Sequence, residues 1–420
     1  MVKSILVINT GSSSMKFKLF TKNSDVLLSG IFDSIGFKKS FVEYSIFDNL
    51  KLSDESNNKS NDNFNKKSNK KYDEKSIENK KNIEMKIESH KKAFDLLLKI
   101  IYEELKINKE DILGVGHRVV HGGNFENTSE MTEDNLEKLK KISSLAPLHN
   151  PNAVIGIEES IKVFDKSKIF ACFDTIFFKD MPDVSKKYAI SDIEMVRKYG
   201  FHGLSYSYLY DYIKKKYKSK NLIICHIGNG SSIVAIKNGR VIDTTMGLSP
   251  LEGLIMGTRS GDIDPEVVFF LQREKNMTYQ EVSDFLNKKS GLKAMCGTND
   301  MRIIWENVKD VYKNNLFDDP KNKYDYAYKK YVKSIIKYVS YYKTEIGKID
   351  AIVFSGGMGE KAYYLRESVL QYFDDIKIDK IKNKKGEEIF SKEDSKIKAM
   401  VIETNEEFFI FNEVKKYLKF

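Results

Sequence analysis

Short runs of Val, Ile and Leu alternate along this chain with longer stretches in which apolar residues recur every three or four positions. Ile5–Asn9, Leu222–His226 and Ala351–Phe354 are of the first kind; each ends at a Gly-containing turn and reads as a strand. The second kind predicts helices. Over Ala93–Leu105, Phe94, Leu97, Leu98 and Ile101 fall on one face. The same period covers Asp134–Lys141, Asn152–Val163, Ser205–Tyr217, Tyr279–Asn287 and Tyr324–Lys343. Strands and helices taking turns in this way argue an α/β fold. Ser53–Asn82 follows neither rhythm. It is a run of Ser, Asn, Lys, Asp and Glu with almost nothing apolar to bury, so it is expected to be a disordered surface insertion.

The strands repeat. Ile5–Asn9 leads into Thr10-Gly11-Ser12-Ser13-Ser14 and an alternating strand, Met15–Phe20. Leu222–His226 leads into Gly228-Asn229-Gly230-Ser231-Ser232 and Ile233–Lys237. Aligning Gly11 with Gly228 sets Asn9 against His226 and Ser14 against Ser231. Glycine and serine let backbone N–H groups approach phosphate oxygens, and hydroxyls add donors without bulk. Two such hairpins at matching places in two halves make a clamp for a polyphosphate, with Lys16 as a cation just past the first. A third loop, Ser355-Gly356-Gly357-Met358-Gly359-Glu360, follows Ala351–Phe354 and opens a helix, a setting that favours nucleotide contact.

Length and charge narrow the class. A chain of 420 residues suggests two domains. No window approaches the roughly 18 apolar residues of a membrane span, and the N-terminal apolar run is too short for a signal peptide. The three cysteines, Cys172, Cys225 and Cys296, are far apart in apolar settings, which predicts reduced, buried thiols in a cytoplasmic protein without a zinc site. The net charge of +10 comes from lysine spread over the whole chain, with no basic stripe, so nucleic-acid binding is not expected. Only seven of the 70 basic residues are arginine. Where lysine supplies generic charge, an arginine is needed for its planar fork, which singles out Arg118, Arg259 and Arg302 within Gly-rich or polar motifs.

At these residues the sequence resembles the acetate kinase family, within the larger group of sugar kinases, Hsp70 and actin. The matching segments are Val7–Lys16, Gly116–Gly123 (GHRVVHGG), Ala146–Asn152, Phe173–Thr175 and Tyr199–Gly203 (YGFHG). His226–Ser232 (HIGNGSS), Asp243–Pro265 and Thr404–Glu407 complete the set. The resemblance implies two related actin-like (ribonuclease H-like) domains around a nucleotide cleft. The first would span 1–175 with the tail 401–420 folded back, and the second 176–400. It implies reversible transfer of the ATP γ-phosphoryl group to acetate, directly and in line, giving acetyl phosphate, with Mg²⁺ or Mn²⁺, and a homodimer. By matching position, Asn9 and Glu406 hold the metal. Lys16, His226, Ile227, Gly228, Asn229, Gly230, Asp300, Met301, Arg302, Gly357, Met358, Gly359, Glu360 and Lys361 contact ATP. Arg118 binds the acetate carboxylate, with Asp174 beside the reacting groups, and His202 and Arg259 stabilise the transition state.

Elementary chemistry supports much of this. A phosphoryl group in flight spreads charge over three equatorial oxygens, which an arginine fork matches. A carboxylate with a pKa near ~4 is already ionised at neutral pH, so Asp174 is read as orienting Mg²⁺ or an arginine, not as a base. His117, His121 and His149 are assigned structural or supporting roles. The chain departs from the family at Phe178 and Tyr206, where histidine is common, at Lys361, and over Cys296–Asp300. A propionate or butyrate kinase would share the clamp. A non-enzymatic ATP-driven clamp of the Hsp70/actin class would have no reason to keep Arg118, His202 and Arg259.

Overall fold

The computed structural model describes residues 2–47, 77–164, 168–312 and 315–419. The chain forms two compact units, Met1–Ile176 with Asn405–Phe420, and Phe177–Thr404.

The first unit is built on an eight-stranded sheet of order β5-β4-β3-β2-β1-β6-β8-β7. Its strands are β1 (Ser4–Thr10), β2 (Met15–Thr21), β3 (Val26–Asp33), β4 (Ser40–Phe47), β5 (Ile77–Met85), β6 (Ile112–Val119), β7 (Ser129–Glu130) and β8 (Ile169–Phe173). β1 to β5 form an antiparallel meander, and β6 and β8 join β1 in parallel. Ile5, Leu6, Val7 and Ile8 have no exposed surface, because a strand covered on both faces is apolar throughout. The C-terminal helix Glu406–Tyr417 lies on this sheet. Gly114 and Gly116 on β6 give it room: a Cβ on Gly116 would stand 2.5 Å from Ile410 and 2.8 Å from Val414. That close approach brings Glu406 next to β6.

The second unit carries a five-stranded sheet of order β11-β10-β9-β12-β13. β9 (Leu222–Ile227), β10 (Ser231–Lys237) and β11 (Arg240–Thr244) are antiparallel; β12 (Ala351–Ser355) and β13 (Lys398–Val401) extend the sheet in parallel from β9. The order repeats that of β3-β2-β1-β6-β8, so the internal repeat of the sequence is a repeat of topology. Its core is closed by the 24-residue helix Lys323–Ile346, whose Tyr328, Tyr331, Val332, Ile335, Val339 and Tyr342 are fully buried. No helix among the described residues is long and apolar enough to cross a membrane.

The helices His90–Lys99, Glu133–Lys141, Asn150–Val163, Gly203–Tyr217, Tyr279–Lys288 and Lys323–Ile346 fall on the expected segments. One expectation needs correction. The end of the polar stretch Ser53–Asn82 is ordered: Ile77–Met85 is β5, paired with β4 so that Asn82 faces Glu43 and Ile83 faces Val42. Lys80 pairs with Glu43 at 3.2 Å, and Lys81 with Glu104 at 2.8 Å. A lysine-rich edge strand satisfies its backbone through its neighbour, a contribution that apolar content does not record. Residues 53–76 of that expectation lie outside the described residues.

Candidate active site

In the first unit, Asn9 on β1 stands directly opposite Lys16 on β2, and Arg118 lies one residue beyond the last β1–β6 pair, Ile8 with His117. Residues in register share a face, so these three do. Arg118 is the centre of the set. Its Nη2 donates to Asp174 Oδ2 at 2.8 Å, and its Nη1 forms an ion pair with Glu406 Oε2 at 3.0 Å. Burial works against the guanidinium, but the Asp174 and Glu406 carboxylates outweigh it and hold Arg118 above its ordinary pKa. Its Nε is buried and has no hydrogen-bond partner among the described residues. A guanidinium whose two carboxylate partners leave several of its N–H donors unspent is suited to receiving one more carboxylate.

The oxygen donors here are Asp174, Glu406 and, on the neighbouring strand, Asn9. Among the described residues no group of three or more His, Cys, Asp or Glu is placed to hold a metal ion. Such a set is too thin for a closed cage. It suits Mg²⁺, which keeps its waters and leans on one or two carboxylates and on substrate phosphates.

In the second unit the predicted residues gather around the end of β9. His202 precedes the helix Gly203–Tyr217 in the left-handed region, at φ 60°, a strained geometry for a histidine that costs about 1–2 kcal/mol. Its ring stacks on His226, with centroids 4.3 Å apart. A Cβ on Gly230 would stand 3.2 Å from His202 Nε2 and 3.4 Å from Arg259 Nη1, so both groups flank the space that this glycine leaves open. Arg259 is half-buried. Its Nη1 donates to Pro250 O at 3.2 Å and approaches Met256 Sδ at 3.8 Å. Among the described residues no carboxylate pairs with it, and burial alone pushes its pKa down.

The remaining loops close on the same place. Gly257 N donates to Asn229 O at 3.1 Å, and Asn299 Nδ2 to Asn229 Oδ1 at 3.1 Å. A Cβ on Gly228 would be 3.9 Å from Gly357 N. Asp300 caps the helix Met301–Glu306 and is gripped by Arg302 through Nε at 3.0 Å and Nη2 at 2.6 Å, which holds its carboxyl down at about 2. Met301 and Ile227 turn their side chains into the core, leaving a ligand only their backbone. The segment read as a third loop is already helical from Gly356 to Lys361. Glu360 is spent on it: its Oε1 accepts from Gly356 N at 2.9 Å and Thr404 N at 3.2 Å. Gly357 and Lys361 are exposed, and Met358 is half-buried with its Sδ 3.8 Å from Tyr331 Oη.

The hairpin alignment is off by one residue. Thr10 pairs with Met15 but Ile227 pairs with Ser231, so the first turn is one residue longer and Lys16, not Met15, is the counterpart of Ser232. Several contributors escaped the sequence reading or, like Ser232 and Thr404, stood in it only as members of a motif. His90 Nε2 meets Gly11 O at 2.9 Å and supports the first hairpin; Ser205, Tyr206, Ser232 and Thr404 hold the two stacked histidines. Tyr206 was visible only as a departure from a family pattern.

His117, beside Arg118, has no exposed surface to speak of; its Nε2 meets Ser160 Oγ at 2.9 Å and its Nδ1 has no partner among the described residues. Burial lowers its pKa to about 3. The unfolded chain protonates near ~6.5, so between these values it binds more protons than the folded protein, and stability falls as pH drops through that window. Urea unfolding at pH 7 and pH 5 should show wild type losing about 2 kcal/mol more than His117→Gln over that interval. Equal losses would remove His117 as a source of acid sensitivity.

The family model for the acetokinase family matches residues 4–66 and 43–412. The chain is similar to the acetate kinase of Borrelia turicatae, at 40% identity over 433 residues covering 97% of each chain. Among solved structures it resembles Porphyromonas gingivalis acetate kinase, with TM-score 0.81 and 33% identity over 99% of this chain and 100% of the other. It also resembles a propionate kinase from Francisella tularensis, with TM-score 0.83 and 34% identity over 98% of both chains.

Proposed function

The chain belongs to the acetokinase family, and we propose that it transfers the γ-phosphoryl group of ATP to acetate, reversibly, giving ADP and acetyl phosphate. The observation that most supports this reading is Arg259. A half-buried guanidinium without a carboxylate partner among the described residues, flanking the same gap as His202, is a cation placed to receive an anion.

In this reading acetate meets the Arg118 guanidinium, which Asp174 and Glu406 hold fixed. Acetate arrives ionised, so no residue removes a proton from it. Lys16, the segment His226–Gly230, Asp300 to Arg302 and Gly357 to Lys361 hold the nucleotide, and Glu360 acts by shaping its own helix. Arg259 and His202 match the charge that spreads over the equatorial oxygens in flight. Asn9 and Glu406 would hold Mg²⁺ or Mn²⁺, which would neutralise phosphate charge and align the transferred group.

A second reading, propionate as the preferred acceptor, has the likeness to the Francisella tularensis propionate kinase in its favour. Steady-state kcat/KM for acetate, propionate and butyrate with Mg-ATP separates the two. Acetate highest is expected; propionate or butyrate ahead of it overturns the substrate assignment.

The proposal extends to a cytoplasmic homodimer. Three free, buried cysteines suit a reducing compartment. The helix Glu266–Lys275 buries none of its residues and leaves Val267, Phe269 and Phe270 exposed, a face fit for a second copy. Sedimentation equilibrium checks this, and a monomer at micromolar concentration contradicts it.

A further inference from the structure

The two histidines at the end of β9 are each held through Nδ1 by a serine, and each serine is held by a second hydroxyl. Tyr206 Oη lies 2.5 Å from Ser232 Oγ, which lies 2.8 Å from His202 Nδ1. Thr404 Oγ1 donates to Ser205 Oγ at 2.7 Å, and Ser205 Oγ lies 2.9 Å from His226 Nδ1. Ser205, Tyr206 and Ser232 have no exposed surface, so water does not compete for these protons.

Counting hydrogens fixes their direction. Tyr206 has one proton, and among the described residues Ser232 Oγ is the hydrogen-bond partner of its oxygen. Its proton therefore goes to Ser232, the acceptor 2.5 Å away. Ser232 also has one proton, and with Tyr206 donating to it, that proton goes to His202 Nδ1. The reverse order would leave the phenolic proton without an acceptor, at a cost of about 1–3 kcal/mol. Thr404 donating to Ser205 sets the same order toward His226. In both rings Nδ1 accepts, so Nε2 carries the hydrogen. Two imidazolium ions stacked at 4.3 Å would repel, which also favours the neutral pair.

We propose that Tyr206 is a positioning residue that, through Ser232, fixes His202 as the neutral tautomer whose Nε2–H points into the space between Gly230 and Arg259. His202 Nε2 would be 3.2 Å from a Cβ on Gly230, so the hydrogen is delivered where Arg259 also reaches. The strained backbone of His202 serves the same end by setting the ring's angle before any ligand arrives. The consequence for phosphoryl transfer rests on the reaction proposed above; the tautomer does not.

The test is ¹⁵N NMR of histidine-labelled full-length protein, with His202 assigned by its loss in His202→Gln. Wild type should show a pyrrole-type Nε2 and a pyridine-type Nδ1. Tyr206→Phe leaves the Ser232 proton undirected, so the His202 signals should move toward a tautomer mixture, while kcat falls about tenfold and both KM values stay within about twofold. Ser232→Ala should do the same, and Ser232→Thr, which keeps the hydroxyl, should restore the wild-type tautomer. A pyridine-type Nε2 in wild type overturns the inference whether or not the variants fold. So does Tyr206→Phe with tautomer and kcat unchanged. Failure of wild type to phosphorylate any short carboxylate would strike the reaction and leave the tautomer result standing.

Discussion

Arg259→Lys should lower kcat by about 10²-fold or more while KM for ATP moves by less than about twofold. The substitution keeps the positive charge and loses the planar fork. A ground-state contact to a phosphate would tolerate that exchange and show its loss in KM. Charge spread over three oxygens of a planar group appears only in flight, so a group built to match it is missed only in kcat. The resting structure supports this division. Arg259 has a carbonyl and a thioether as neighbours, no carboxylate among the described residues, and a pKa pushed down by burial, so its charge is poorly compensated until the reaction supplies an anion. Steady-state kinetics over both substrates decide it, and a change confined to KM would reassign Arg259 to ground-state binding.

The second large effect is expected at Arg118, where stability and activity fall together. Arg118→Gln leaves Asp174, 1% exposed, and Glu406, 12% exposed, without their shared cation. Breaking a buried pair from one side costs roughly 3–5 kcal/mol, chiefly because the remaining charge is stranded. The KM for acetate should rise with it, since the guanidinium proposed to meet the substrate carboxylate is gone. Adding Asp174→Asn should recover much of the lost stability and none of the activity. Urea unfolding of the two variants beside wild type separates these outcomes. Full stability in Arg118→Gln would mean that the ion pairs seen at 2.8 and 3.0 Å contribute little.

The parts of this molecule legible in the sequence are those written locally. The apolar runs Ile5–Ile8 and Leu222–Ile224, each followed by a small-residue turn, announce buried strands and hairpins, and the topology repeats as the runs do. Arg118 and Arg259 stood out because arginine is scarce and the motifs around them are dense in glycine, and His202 through the family resemblance of its YGFHG segment. What was not legible depends on partners far away in sequence. Ser232 meets Tyr206 from 26 positions off, and Thr404 meets Ser205 from 199, so neither hydroxyl relay leaves a local trace. β5 was misread because its order comes from pairing with β4 and not from its own burial. The grip of the Glu360 carboxylate on the backbone of Gly356 and Thr404 was equally hidden, since Thr404 lies 44 positions away.

In the proposed reaction these residues carry a phosphoryl group from ATP to a carboxylate oxygen. ³¹P NMR of the purified protein with Mg-ATP and acetate tests it most directly. Acetyl phosphate should appear in step with ADP, with hydroxylamine converting it to the hydroxamate and free phosphate, and acetyl phosphate with Mg-ADP should regenerate ATP. ADP accompanied only by inorganic phosphate, or no turnover with acetate, propionate or butyrate, would contradict the account.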